Sequence, residues 1–426
     1  MIDGVVVAVQ LDIKSTYADG SARMAVLAVE RPELLAGRTV HALLIDAPAP
    51  APQPALNLLD ELGRHAFSIG LIDADGQLFD FDVLAALRSE WLGGRATEWQ
   101  DGALASQARI EVDLPGSMRA VFDVTVFKGG GLSVEAQFNN DQAMQANGGR
   151  ASYRLFVDMD GQRASYDAVD QGQYQNWHRS YSSNGRDGGQ GLGDPAQGWL
   201  NIRHDIDQLQ DSGAVARYDL AIGVEEARLV AWGEAAGAAG WDAPLASNGL
   251  RQYMPGPGGR DDIGFTTAAN AAWLMSQDAR AADYAMGQAE SAGAVPWNMW
   301  DSAHGTWLST DDYVALWTDP RGGVGVPGNA NSTGLTQQPD DSGWTPDTAH
   351  QPDASYVPYL LTGERWMLDN LNAQASYTVV SQWPVARGDG LDLVVRVNQV
   401  RGAAWSLRQI DEAAWISPDG SREKAY

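Results

Sequence analysis

Arg109-Ile110-Glu111-Val112-Asp113-Leu114 alternates polar and apolar residues without a break. A period of two puts Ile110, Val112 and Leu114 on one strand face and Arg109, Glu111 and Asp113 on the other. Met118 to Val124 and Leu132 to Phe138 repeat the pattern in part, and Tyr153 to Val157 runs into the turn pair Asp160-Gly161. Period-two strands with one polar face predict antiparallel sheet from about residue 105 to about 232, with the polar residues outward. Upstream, the apolar runs Val5–Val9 and Met24–Val29 read as further strands, with Asp19-Gly20 as a turn. A Pro-rich connector covers 47–54, and 56–64 and 82–92 read as short helices. Lys128 to Gly131 fits a hairpin turn.

Beyond a Gly-, Ala- and Pro-rich boundary at 233–262 the period changes. Thr266 and Asp278 read as N-caps and Gly293 as a helix stop. Residues 353–361 and 364–382 predict a helical hairpin closed by Thr362-Gly363, and 397–415 predict a last helix. Loops are expected at 182–198 and 320–345. Strands first and helices last give an α+β, multidomain chain. The expected units are a β-rich domain at 1–104, an antiparallel β-sandwich domain at 105–250 and a helical domain at 251–426.

Composition narrows the function. A net charge of −26 would repel the phosphates that a nucleic-acid groove must neutralise, so nucleic acid is not an expected partner. No apolar run reaches the roughly 18 residues a membrane helix needs. Met1-Ile2-Asp3-Gly4 lacks the basic start of a signal peptide. The absence of cysteine excludes disulfides, thiolate metal sites and a Cys nucleophile. Trp occurs 16 times, and aromatic rings stack on the flat apolar faces of sugars, although they also fill cores.

The candidate chemistry gathers late in the chain. On the last helix Arg401, Trp405 and Arg408 fall on one stripe, at spacings of four and three. A ring between two guanidinium groups suits a sugar that carries a carboxylate; a solvated face with Arg408 paired to Glu412 is the plainer alternative. His350 lies just before a helix start, flanked by Asp347 and Asp353, where a neutral imidazole can serve as a base. Trp297, Trp300, Asp301 and His304 form a second cluster, and His178 with Arg179 a third at a strand end. No serine-nucleophile elbow, phosphate-binding loop or zinc-protease motif appears, and no metal or other cofactor is expected.

Several phrases carry a resemblance: Asp262-Ile263-Gly264, Ser276 to Arg280, Ala292 to Trp297, Asp347 to Asp353, Tyr359 to Gly363 and Gln399 to Trp405. Together they resemble a group of large bacterial and phage-associated proteins. Asp19 to Arg23 and Leu35-Ala36-Gly37 resemble the opening β domain of rhamnogalacturonan exolyase-like proteins. The resemblance implies β-sandwich domains followed by an (α/α) toroid, as in heparinase-type lyases. Residues 262–426 hold about half a toroid, which predicts a fragment of a longer protein, an open cleft, or one completed by a partner.

The expected function is therefore cleavage of an acidic polysaccharide by β-elimination. Arg401 or Arg408 would neutralise the sugar carboxylate, His350 or Tyr356 would take the proton, and His178 or a tyrosine would protonate the leaving oxygen. Trp297, Trp300, Trp344 and Trp405 would stack on sugar rings, with Asp301 and Asp347 as binding groups, or as the carboxylate pair of a hydrolase. A carbohydrate-binding module and a non-catalytic phage-tail or receptor-binding component, with homo-oligomeric or virion partners, are the rival readings. An extracellular or virion location is expected ahead of a membrane one.

Overall fold

The computed structural model describes residues 1–30, 37, 39–45, 53–145, 147–183, 201–314, 316–318, 342–382, 384–388 and 400–426. Most of the connector expected at 47–54 and of the loops expected at 182–198 and 320–345 lies outside them.

A hairpin of β1 (Val9–Thr16) and β2 (Ala22–Val29) opens the chain. Its turn is set by Gly20 at φ 85° and by Asp19, whose carboxylate accepts from the Ser21 N–H at 3.0 Å. The strand begins at Val9; Val5 is exposed and only bridges back to Ile2. There follow α1 (Leu58–Leu62), β3 (Phe67–Asp73), β4 (Leu78–Asp82), α2 (Val83–Leu92), β5 (Thr97–Asp101), β6 (Ala105–Asp113), β7 (Arg119–Phe127), β8 (Gly131–Asn139), β9 (Ala151–Met159), β10 (Gln162–Gln171) and β11 (Asn176–Ser182). The antiparallel order is β10-β9-β3-β4 in one sheet and β11-β8-β7-β6-β5 in the other. Phe67, Ile69 and Leu71 of the first sheet share one buried cluster with Phe122, Val124, Phe138 and Trp177 of the second, and Leu84 and Leu87 of α2 join it. This cluster draws on both sides of residue 104, where a domain boundary was expected.

The polar face of the second sheet is covered around Arg109, Asp123 and Gln137, while Glu111 and Asp113 at one end of β6 are exposed. Arg109 is 8% exposed; its guanidinium donates to Asp123 across the strand pair at 2.8 and 2.5 Å, and to Asp369 at 3.1 and 2.7 Å. Gln137 adds a bond to Asp369 at 2.7 Å. Asp369 belongs to the helical part, so at Arg109 the polar face is an interface between sheet and helices rather than a solvated surface. Removing one member of such a buried network costs about 3–5 kcal/mol, because the remaining charges lose their partner.

The helices are α3 (Ile206–Asp211), α4 (Glu226–Ala236), α5 (Ala268–Ser276), α6 (Ala279–Ala294), α7 (Tyr356–Thr362), α8 (Arg365–Val380), α9 (Val400–Ile416) and α10 (Arg422–Ala425). The first lies within the stretch read as strand, and the second begins in it and runs past its expected end at about 232. Thr267, one residue after the expected Thr266, caps α5 by accepting from the Asn270 N–H, and Asp278 caps α6 as expected. Gly293 does not stop α6. It lets the helix close on β11, since a Cβ there would sit 3.1 Å from the Asn176 carbonyl oxygen. Gly363, at φ 73°, turns α7 into α8. Trp273, Ala281, Ala285, Tyr359, Leu371 and Ile416 build the helical core. The chain is thus mixed α and β, with several antiparallel sheets, strands leading and helices following. Among the described residues no helix is long and apolar enough to cross a membrane.

Candidate functional site

Arg401, Trp405, Arg408 and Glu412 recur at helical spacing along one stripe of α9. The segment 344–355 and the loop 256–266 lie against this stripe. The two are tied to each other: Thr345 N–H donates to the Gln252 carbonyl at 2.8 Å, and Met254 N–H to that of Thr345 at 3.1 Å. Arg260 fastens the loop further, donating to Asp262 at 2.8 Å, to the Met254 carbonyl at 2.9 Å and to the His350 carbonyl at 3.3 Å.

Asp347 folds the segment back on itself. Its carboxylate accepts from the Ala349 N–H at 3.1 Å, and the His350 N–H donates to the Asp347 carbonyl at 3.1 Å. The imidazole Nδ1 then lies 2.5 Å from Asp347 Oδ2, and Nε2 lies 2.8 Å from Arg401 Nη1. A guanidinium only donates, so Nε2 is the acceptor and the ring proton sits on Nδ1, aimed at Asp347. Arg401 is exposed, so a solute anion can reach it. Gly258 allows this geometry: a Cβ there would fall 2.0 Å from Arg401 Nη1.

Next along the stripe, the Trp405 ring meets Phe265 edge-on, with centroids 6.4 Å apart. Phe265 is 76% exposed, which makes it the open half of an aromatic platform. Below it Arg408 is buried, donating to the carbonyls of Gly264 and, at 3.2 Å, Gln351. Its guanidinium lies 4.9 Å over the Trp405 ring. Burial lowers the Arg408 pKa, against the pull of Asp353 and Glu412. Burial raises both of these carboxyls; Asp353 lifts Glu412 further, to well above the carboxylate range, while the hydrogen bond from Glu412 works to lower Asp353. Arg408 is therefore a buried tie between α9 and both loops, not a free cation facing solvent.

The remaining expected residues sit elsewhere. Tyr356 is buried and its hydroxyl donates to the Ala214 carbonyl at 2.7 Å; burial, then Glu412, pushes its pKa up. A phenol so engaged cannot take a substrate proton. Trp297 is fully buried and Trp344 nearly so, both in one apolar cluster. Trp300 lies under the Arg119 guanidinium at 3.8 Å and against Trp307. Asp301 is buried, 2.6 Å from His304 Nδ1. Asp301, His304 and Asp312 place ligand atoms within 4.8 Å of one another, the one grouping among the described residues with a metal-like set. Arg422 already holds Asp312, which works against a cation there.

His178 is on β11, buried at the interface with α6 and α8. Nδ1 lies 2.8 Å from Glu290, Nε2 lies 2.8 Å from Glu135, and the ring stacks on Trp366 at 4.2 Å. Burial opposes its charge, but the two glutamates outweigh that and raise its pKa to about 10.

Sequence reading missed Phe265 and Gly258, and it named Asp353 and Glu412 without bringing them together. An aromatic inside the Gly- and Asp-rich run 256–266 was the available signal for Phe265. Compared with known protein families, curated proteins and solved structures, this chain matches none.

Proposed function

We propose that this chain is a polysaccharide lyase that cleaves an acidic glycan by β-elimination at Asp347, His350 and Arg401. The observation that carries the reading is the Nε2 lone pair of His350 held by an exposed guanidinium, with Nδ1–H on a carboxylate. A uronate carboxylate competes for Arg401 by bidentate pairing. When it takes the guanidinium, Nε2 is released beside the acidified C–H. Nε2 takes that proton, the C–H electron pair becomes the new C=C bond, and the C–O bond to the leaving sugar breaks. Asp347 stabilises the imidazolium, which returns the proton to the leaving oxygen. One histidine then serves as both base and acid, which dispenses with Tyr356 and His178. Trp405 and Phe265 stack on a neighbouring sugar ring.

In this reading the two sheets are the layers of a β-sandwich, and the later helices are part of an (α/α) toroid. The shared core of the sheets and the α7–α8 hairpin support it. The test is a panel of acidic and neutral glycans, followed for binding and for the ultraviolet absorbance of an unsaturated product. Absorbance with an acidic glycan, lost in His350→Ala and Arg401→Ala, is expected. Turnover unchanged in both variants would refute the assignment. Binding without product would leave the same wall as a carbohydrate- or receptor-binding surface.

A further inference from the structure

A second hollow, of about 370 Å³, opens between β11, α4, α6 and the segment 241–248. None of its lining residues belongs to α9 or to 344–355. One wall is the Trp241 indole. It rests on the α6 backbone at Gly287, where a Cβ would fall 2.4 Å from the ring, and Tyr284 leans on it with centroids 5.0 Å apart. Asp283 and Glu290 lie one turn to either side of Gly287 on the same helix, and both line the hollow.

The two carboxyls differ in their company. Glu290 is bonded to His178 at 2.8 Å. Asp283 has no hydrogen bond or ion pair with any described residue. Burial, then the like charges of Asp242 and Asp278, push its pKa up to about 6. The hollow's own cations are engaged: His178 between two glutamates, and Arg179 on the Asp242 carbonyl. A half-buried acid without a counter-charge, beside an indole face, is the arrangement that attracts an organic cation. A neutral hydroxyl would leave the carboxylate uncompensated. A bare metal ion would find Asp283 alone, since Glu290 is taken by His178, and would meet the Arg179 guanidinium as well, which is a poor ligand set.

We propose that this hollow binds an organic ammonium group, the cation lying against Trp241 and paired with Asp283. The site is independent of the lyase reading. Calorimetric titration of the whole chain with tetramethylammonium and n-butylammonium, against tert-butanol and n-butanol as uncharged counterparts, tests it. Saturable binding of at least one ammonium ion is expected, with the alcohols at least about tenfold weaker. Asp283→Asn keeps the shape, removes the charge and should weaken the ammonium about tenfold or more. Gly287→Ala, which displaces the indole, should do the same, and Arg401→Ala should leave binding intact. Equal binding of the alcohols, unchanged affinity in Asp283→Asn, or no saturable binding of either ammonium overturns the proposal.

Discussion

His350 and His178 are each held at both ring nitrogens, and each faces a carboxylate. They differ in the second partner. His350 has an exposed arginine on Nε2, which forces that nitrogen to accept. His178 has a glutamate on each side, which draws a proton onto both nitrogens. The first arrangement leaves a lone pair that a competing anion can free. The second makes a cation that persists well above neutral pH, joins β8 and β11 to α6 and stacks on α8. Histidine with acid is therefore not a catalytic signature in itself; the third group decides whether the ring works as a base or as a rivet.

The contrast is broken most severely at His178. His178→Gln should lower unfolding free energy by about 3 kcal/mol or more in denaturant titration, since it leaves two partly buried glutamates without their cation. His350→Ala should cost less, about 1 kcal/mol, since its half-buried ring loses two hydrogen bonds but leaves no buried charge without a partner. Equal losses would erase the distinction. The pH dependence sharpens it. The pKa of His178 is raised from 6.5 to about 10, so its stabilisation is complete below pH 6.5 and is lost as pH rises through about 10. Burial, then Glu135, lifts Glu364 from 4.5 to about 7, which makes stability fall with rising pH in that lower window too. Unfolding at a series of pH values should show this decline, and His178→Gln should flatten its alkaline part.

Activity should respond in the opposite pattern. On an acidic glycan His350→Ala should lose about 10²–10⁴-fold in kcat, with a smaller drop in melting temperature than His178→Gln. Trp405→Ala and Phe265→Ala should each weaken glycan binding by up to about tenfold in titration, the worth of one aromatic contact. Gly258→Ala should have the smallest effect. Its new methyl group shifts the flexible end of Arg401, so KM should rise by a few-fold, on the order of 1 kcal/mol or less.

What could be read from residues alone follows the range of the interaction. The helical hairpin at Thr362-Gly363, the cap at Asp278 and the strand alternation at 109–114 are local, and they were legible. The stripe of Arg401, Trp405 and Arg408 was legible as a face, but not its partners. His350 is 51 residues from Arg401, and Glu135 and Glu290 are 43 and 112 residues from His178. No periodicity reports such pairings. Strands β3 and β4 escaped notice, β3 because most of its residues are buried on both faces and it does not alternate cleanly, although Asp75-Gly76 marks the turn between them. Arg109 read as solvent-facing because alternation shows two faces, not what covers the polar one. Trp297 and Trp344 read as sugar platforms because the excess of tryptophan does not say which rings are buried.

The most direct measurement is ¹⁵N NMR of the histidine side chains at about pH 8.5, where an ordinary imidazole is neutral. Two protonated ring nitrogens are expected for His178. For His350 a proton on Nδ1 and an acceptor Nε2 are expected, and the Nε2 signal should move when an acidic glycan is added. A neutral His178, or a His350 protonated on Nε2, would contradict these assignments.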